Sequence, residues 1–154
     1  MPRLSDGEEL PDRRTRPGMS RQSPATSTVV VTAALIEREG RFLVTKRQRG
    51  VHLEGLWEFP GGKCDAGEDL RTCLVRELKE ELAIAVRVEA EILTTTHAYD
   101  DRRVELHFIR CELLDNPTPQ LGQEMRWVTR TELATLQFPP ADAELIRVLV
   151  ANER

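Results

Sequence analysis

No run of apolar residues in this chain approaches the roughly 20 needed to span a bilayer. The longest candidate, Val29 to Ile36, is interrupted by Thr32. The start of the chain lacks the apolar core of a secretory signal, so secretion is not expected. Cysteine is scarce: Cys64, Cys73 and Cys111 are an odd number with no CxxC spacing, which predicts reduced thiols in a cytoplasmic protein. An excess of positive charge is missing too. Charged residues make up 31% of the sequence yet sum to −4, leaving no broad basic surface for duplex nucleic acid. Stable nucleic-acid binding is therefore not expected, and an acidic chain that handles an anionic ligand needs local cations to do so. There are no internal repeats. The 154 residues supply one core of ordinary size, with no room for two.

The first 27 residues carry four prolines, five arginines and four acids but scarcely an apolar side chain. Such a segment buries too little surface to offset the entropy of ordering, so 1–27 reads as a disordered tail and 28–154 as the folded domain.

The densest signal runs from Gly62 to Ile84. Gly62 is followed after five residues by Glu68, and after seven more by Arg76-Glu77-Leu78; then come Glu80-Glu81 and Ile84. On a helix Glu77, Glu80 and Glu81 project from one side, while Leu70, Leu74, Leu78 and Leu82 form a neighbouring apolar stripe. Carboxylates crowded on one helical face repel one another unless something positive lies between them. Mg²⁺ or Mn²⁺ meets that need, because hard cations take carboxylate oxygens and substrate phosphates together. Arg76 is placed to hold one carboxylate by a bidentate pair. The competing reading is a solvated charged face, but Lys79 is the only lysine among these acids. Just upstream, Glu58-Phe59-Pro60-Gly61-Gly62-Lys63 joins a fixed proline φ to two permissive glycines. It reads either as a plain turn or as a loop laying backbone groups around a metal and phosphate.

The pattern G-x5-E-x7-R-E-U-x-E-E-x-G-U, with U a bulky aliphatic, is the Nudix box, and this chain resembles it at every position except Ala83, where glycine is usual. The string Glu58–Lys63 is similar to the MutT branch of that family. The resemblance implies an α/β fold, the Nudix α/β/α sandwich with a mixed central sheet, over about residues 28–150. It implies a Mg²⁺- or Mn²⁺-dependent hydrolase that cuts a nucleoside triphosphate to the monophosphate and pyrophosphate. By the same likeness the metal ligands would be the Gly61 carbonyl, Glu77, Glu80, Glu81 and Glu124. Glu80 or Glu124 would take the proton from the attacking water, with Arg76 beside them. Arg76 and Glu68 would organise helix and loop, and Gly62 would be structural. Arg47 would contact phosphate and His52 would lie near substrate. Phe138-Pro139-Pro140-Ala141-Asp142 resembles the FPPAN segment that reads the base in enzymes acting on oxidised dGTP, with Asp142 in place of the final Asn.

That replacement leaves two substrate classes open. Asn offers a donor and an acceptor, which suits the O6 and N7–H of 8-oxoguanine. Ionised Asp only accepts, which suits N–H donors such as the N4 amine of cytosine, whereas protonated Asp regains a donor. Asp142 also stands where it would cap the last helix. The favoured substrate is 8-oxo-dGTP or dGTP, and the alternative is CTP, dCTP or 5-methyl-dCTP. Another hydrolase specificity, such as ADP-ribose, and a non-catalytic nucleotide-sensing module are the remaining classes.

Outside the motif, Val29–Ile36 and Arg41–Arg47 read as strands joined by a hairpin at Glu39-Gly40. A helix is predicted from near Asp69 to Leu82, strands over 86–96 and 103–113 about a turn at Asp100–Arg102, and a short strand at Trp127-Val128. Thr129-x-x-Glu132 has the pattern of a capping box, opening a brief helix to Leu136, and 142–150 forms the last helix. His97 and His107 read as partly buried strand histidines. Trp57 and Phe59 offer a stacking surface or core packing.

Overall fold

The computed structural model describes residues 27–50 and 53–152. Of the tail expected over 1–27, residues 1–26 lie outside the described residues, as does the site residue His52, while Ser27 already belongs to the first strand. Strand β1 (Ser27–Arg38) turns at Glu39 and Gly40 into β2 (Arg41–Lys46). Both turn residues have positive φ, +52° and +76°, the geometry that lets a two-residue turn follow the strand twist. Two very short strands come next, β3 (Trp57–Glu58) and β4 (Gly61–Lys63), then helix α1 (Leu70–Leu82). The long hairpin β5 (Val86–Ala98) and β6 (Arg102–Leu113) follows, then β7 (Met125–Thr129) and α2 (Arg130–Leu133). A single 3-10 turn at Pro140–Asp142 leads into α3 (Ala143–Ala151).

β1 is the axis of the sheet. It runs parallel to β6 from Ser27↔Arg102 to Ile36↔Cys111, and antiparallel to β4 through Val31↔Lys63, Thr32↔Gly62 and Ala33↔Gly61. β5 closes the far edge, antiparallel to β6. β2 meets β1 at the hairpin and pairs antiparallel with β3 and β7. The sheet is therefore mixed. Because β1 is buried on both faces, its residues 33–36 are all apolar, without the alternation of a half-exposed strand. Ala33 and Leu35 face Phe108, Leu133, Leu145 and Leu149, so α2 and α3 cover that side. Ala34 and Ile36 face Leu74, Leu78 and Leu82 of α1. The result is the α/β/α sandwich read from the sequence.

Three details differ from expectation. Gly61–Lys63, read as loop, is a strand, because two residues without side chains can lie flat against β1. The helix after the capping box stops at Leu133, short of Leu136; the box itself forms, with Thr129 Oγ1 accepting from Glu132 N–H and Glu132 accepting from Thr129 N–H. The prediction of reduced thiols is corrected at two of the three cysteines. Cys64 and Cys73 are joined in a disulfide, their Cα atoms 5.2 Å apart, because the strand end and the first turns of α1 bring them face to face. Cys111 is free and buried, and burial pushes its thiol up to about 12. No helix among the described residues is long and apolar enough to cross a membrane.

Candidate active site

Helix α1 is fixed at both ends. Asp69 accepts from the Thr72 N–H at its start, and at its close Ala83 adopts the left-handed conformation, φ +56°, ψ +40°, with its N–H on the Lys79 carbonyl. Burial of Leu74, Leu78 and Leu82 under the sheet turns the acidic face towards β4. Arg76 organises that face. Its Nε and Nη2 donate to the two oxygens of Glu68, each at 2.8 Å, Nη1 donates to Glu77 at 2.9 Å, and Nη2 also reaches the Lys63 carbonyl at 3.2 Å. These bonds, with the Asp65 N–H, hold the Glu68 carboxyl down at about 2. Arg76 thus ties Glu68, Glu77 and the Lys63 carbonyl into one cluster.

Both glycines are required by close approach. A Cβ on Gly61 would lie 2.1 Å from the Thr32 carbonyl oxygen, and one on Gly62 would lie 2.1 Å from Oε1 of Glu77. The first contact lets β4 join the sheet; the second lets a carboxylate rest on its backbone. Glu81, one turn on, accepts from the Gly61 N–H at 3.3 Å. Burial, and secondarily the charge of Glu58, pushes the Glu81 carboxyl up to about 8. Glu77 is raised as well, by burial, against the pull of Arg76.

Gly61 and Glu81 open onto a cavity of about 310 Å³, whose wall also includes Arg47, Glu58, Tyr99, Arg102 and Asp142. Arg47 Nη1 donates to Glu58 at 2.7 Å. Burial raises the Glu58 carboxyl in spite of that bond. Asp142 is only 5% exposed, and burial followed by the charge of Glu58 pushes it up to about 7. It stands at the N-cap of α3 but makes no capping hydrogen bond, and it lines the cavity.

The site residues expected from the sequence divide accordingly. Gly61, Gly62, Glu81, Arg47 and Asp142 line one cavity. Glu77 borders it through Gly62. Glu80 lies outside, 62% exposed and 3.5 Å from Arg76. Glu124 is 52% exposed, 3.7 Å from Arg126, on a neighbouring recess that shares Arg47 as a wall. Phe138 stacks on Phe59 with ring centres 5.4 Å apart and packs against the core, so it backs the cavity without lining it. Glu58, Tyr99 and Arg102 were missed. Glu58 sits inside the quoted glycine string, and Arg102 was read only as a turn residue; the parallel pairing of β1 with β6 carries that turn over the site.

The donor set suits a hard divalent cation. Its atoms are carboxylate and carbonyl oxygens, and burial raises Glu58, Glu77 and Glu81 together, the first in spite of Arg47 and the second in spite of Arg76. Among the described residues the only three ligand atoms already within 4.8 Å of one another belong to Cys64, Glu68 and Cys73, two of them spent in the disulfide. A cation at the acidic face would have to draw Glu77 and Glu81 together.

Comparison with known proteins agrees with this geometry. Residues 31–148 match the NUDIX domain, and the chain belongs to the Nudix family, in its MutT-like branch. It is 38% identical over 125 residues to an 8-oxo-dGTP diphosphatase of Haemophilus influenzae, covering 79% of this chain and 91% of that protein. It is also 34% identical over 125 residues to a CTP pyrophosphohydrolase of Escherichia coli, covering 80% and 92%. The solution structure of the Escherichia coli ORF135 protein superposes with a TM-score of 0.74 at 31% identity, covering 84% of this chain and 94% of that one.

Proposed function

We propose that this protein is a nucleoside triphosphate pyrophosphohydrolase that releases pyrophosphate and a nucleoside monophosphate, acting on 8-oxo-dGTP or dGTP in the presence of Mg²⁺ or Mn²⁺. The observation that carries the reading is the single cavity shared by Gly61, Glu81, Arg47 and Asp142. A buried carboxyl, a guanidinium and a second buried acid share its wall, which supports roles for them in ion, phosphate and base binding. The relative named as an 8-oxo-dGTP diphosphatase supports the substrate class.

Glu77, Glu81 and the Gly61 carbonyl would hold the ion. When bound, it supplies positive charge to phosphate oxygens and acidifies water. Arg76 keeps Glu77 in place and the strand end against the helix through Glu68 and the Lys63 carbonyl. Arg47 faces the cavity and offers its charge to the phosphates, at the expense of part of its bond to Glu58. The proton of the attacking water goes to Glu80 or Glu124, exposed carboxylates held by long ion pairs to Arg76 and Arg126. Asp142 reads the base.

A second reading is favoured by Asp142 itself. In its ionised form it accepts only, which fits the N4 amine of CTP, dCTP or 5-methyl-dCTP, and a relative named as a CTP pyrophosphohydrolase supports that choice. Pyrophosphate release with Mg²⁺, compared by kcat/KM across 8-oxo-dGTP, dGTP, dCTP, 5-methyl-dCTP, CTP and ADP-ribose, tests both. Preference for 8-oxo-dGTP supports the first and preference for a cytidine nucleotide the second. Release from none of them would leave a nucleotide-sensing module and refute hydrolysis.

A further inference from the structure

We propose that Cys64 and Cys73 are a reversible redox lock on the ion site: their bond clamps the glycine strand to the carboxylate helix, and its reduction loosens that grip. The inference rests on the reading of Gly61, Glu77 and Glu81 as ion ligands. Cys64 follows β4 directly, two residues beyond Gly62, and Cys73 lies in α1 one turn before Glu77. The bond therefore joins the two elements whose relative position sets the Gly61 carbonyl against the glutamates. No slack exists at that contact, since the Glu77 carboxylate fills the space a Gly62 side chain would take.

Hydrogen bonding gives the lock a second consequence. Thr32 Oγ1 lies 3.4 Å from Cys73 Sγ and 3.4 Å from the Gly62 carbonyl, and Cys73 Sγ lies 3.7 Å from that same carbonyl. In the disulfide neither sulfur has a proton to give, so the Thr32 hydroxyl is the only donor of that trio. As a thiol, Cys73 would donate to the Gly62 carbonyl in its place. The hydrogen bonding of the residue on which Glu77 rests thus changes with the redox state.

The bond is not needed merely to close this segment. Arg76 already ties Glu68, the Lys63 carbonyl and Glu77 together around the same strand-to-helix turn that the disulfide closes. Cys73 is fully buried, whereas Cys64, 9% exposed, borders the exposed stretch Asp65–Gly67 and is the point of entry. A hydroperoxide would oxidise the Cys64 thiolate to a sulfenic acid, losing water or an alcohol. The Cys73 thiol then attacks that sulfur and expels water, so two thiols give up two electrons to one peroxide. Two glutathione thiols reverse the change, taking up the disulfide and leaving as oxidised glutathione.

The test uses the full chain in two forms, equilibrated with reduced or with oxidised glutathione. Mass spectrometry after alkylation counts thiols, and the electron paramagnetic resonance of free Mn²⁺ measures ion affinity. The expected result is one thiol in the oxidised form and three in the reduced form. The oxidised form should bind Mn²⁺ about fivefold more tightly, at the low end of ordinary coupling between two sites. Cys64→Ser should bind like the reduced protein under both conditions, and Cys111→Ser should keep the difference. Failure of Cys64 and Cys73 to pair in excess oxidised glutathione overturns the inference, as does equal Mn²⁺ affinity in the two forms. Absence of Mn²⁺ binding in both forms overturns the ion-site reading and the inference with it.

Discussion

Asp142→Asn should make the protein more stable in alkali and remove a pH dependence from its choice of base. In the folded chain burial, then the charge of Glu58, moves the Asp142 carboxyl from its ordinary 3.8 to about 7. Between those two values the unfolded chain has lost this proton while the folded chain keeps it. The folded state binds more protons, so stability falls as pH rises through the window and levels off above about 7. Each pH unit of such a window is worth about 1.36 kcal/mol, which caps the loss at ~4 kcal/mol. Water entering the open cavity takes a share, so ~2 kcal/mol is the working figure. Asn has the same shape and no charge to bury. Urea unfolding in EDTA at pH 5 and 8.5 reads the difference directly. Only the part of the window above pH 5 lies between the two, so the variant should gain ~1 kcal/mol on the wild type. In parallel, wild-type kcat/KM for 8-oxo-dGTP relative to dCTP should fall as pH rises through about 7, where Asp142 loses its donor, and stay flat in the variant. A stability gap that is the same at both pH values would refute the claim that Asp142 is a buried, proton-holding acid.

Ala83 pays for a conformation glycine adopts freely, so Ala83→Gly should add about 0.5–1 kcal/mol and raise Tm by a few degrees; an unchanged or lower Tm would contradict this. His107 is bridged on Nδ1 by Glu91 at 2.6 Å and on Nε2 by Glu105 at 2.7 Å; burial opposes its protonation, but these bonds prevail and raise it above 6.5. Its stabilisation is then full below pH 6.5 and is lost as pH rises through the raised value. His107→Gln should cost about 1–2 kcal/mol at pH 6 and less at pH 9, measured by urea unfolding; an equal cost at both would count against the bridge. Of Glu80→Gln and Glu124→Gln, the one that removes the general base should lower kcat by a factor of about 10²–10⁴ with Tm unchanged. Near-normal kcat in both would rule out either as the base.

Legibility in the sequence followed the range of the interactions. The carboxylate helix was readable because its instructions are local: the leucine stripe, Asp69 as cap and the Arg76 and Glu68 pair lie within 15 residues. The hairpin at Glu39-Gly40 and the capping box at Thr129 are local as well. Gly61–Lys63 was not readable as a strand, because its partner lies 30 residues upstream and a glycine pair says nothing about pairing. Tyr99 and Arg102 reach the cavity only through the parallel register of β1 and β6, which joins Ser27 to Arg102 across 75 residues. The resemblance of Phe138–Asp142 to the FPPAN segment pointed to Asp142 as a substrate contact, but the proximity of Glu58, which helps set its proton affinity, belongs to the folded chain alone. The disulfide was hidden for a different reason. Odd cysteine count and absent CxxC spacing speak to frameworks and metal sites, and neither tests whether a strand end meets a helix face.

The carboxyl of Glu81 connects ion binding to protons. At about 8 without a cation, it is mostly protonated at neutral pH, because burial and Glu58 oppose its charge. An ion ligand must be deprotonated, so binding at pH 7 has to expel that proton. Affinity for Mn²⁺ should then rise with pH, by as much as tenfold per unit below about 8, and level off above it. Isothermal titration of Mn²⁺ at pH 7 in two buffers of different ionisation enthalpy would measure close to one proton released per ion. Glu81→Gln should abolish both the release and the slope, whatever weak binding remains. Release of no proton by the wild-type protein would mean that Glu81 is already ionised in the absence of metal, and that the acidic cluster is better solvated than its burial implies.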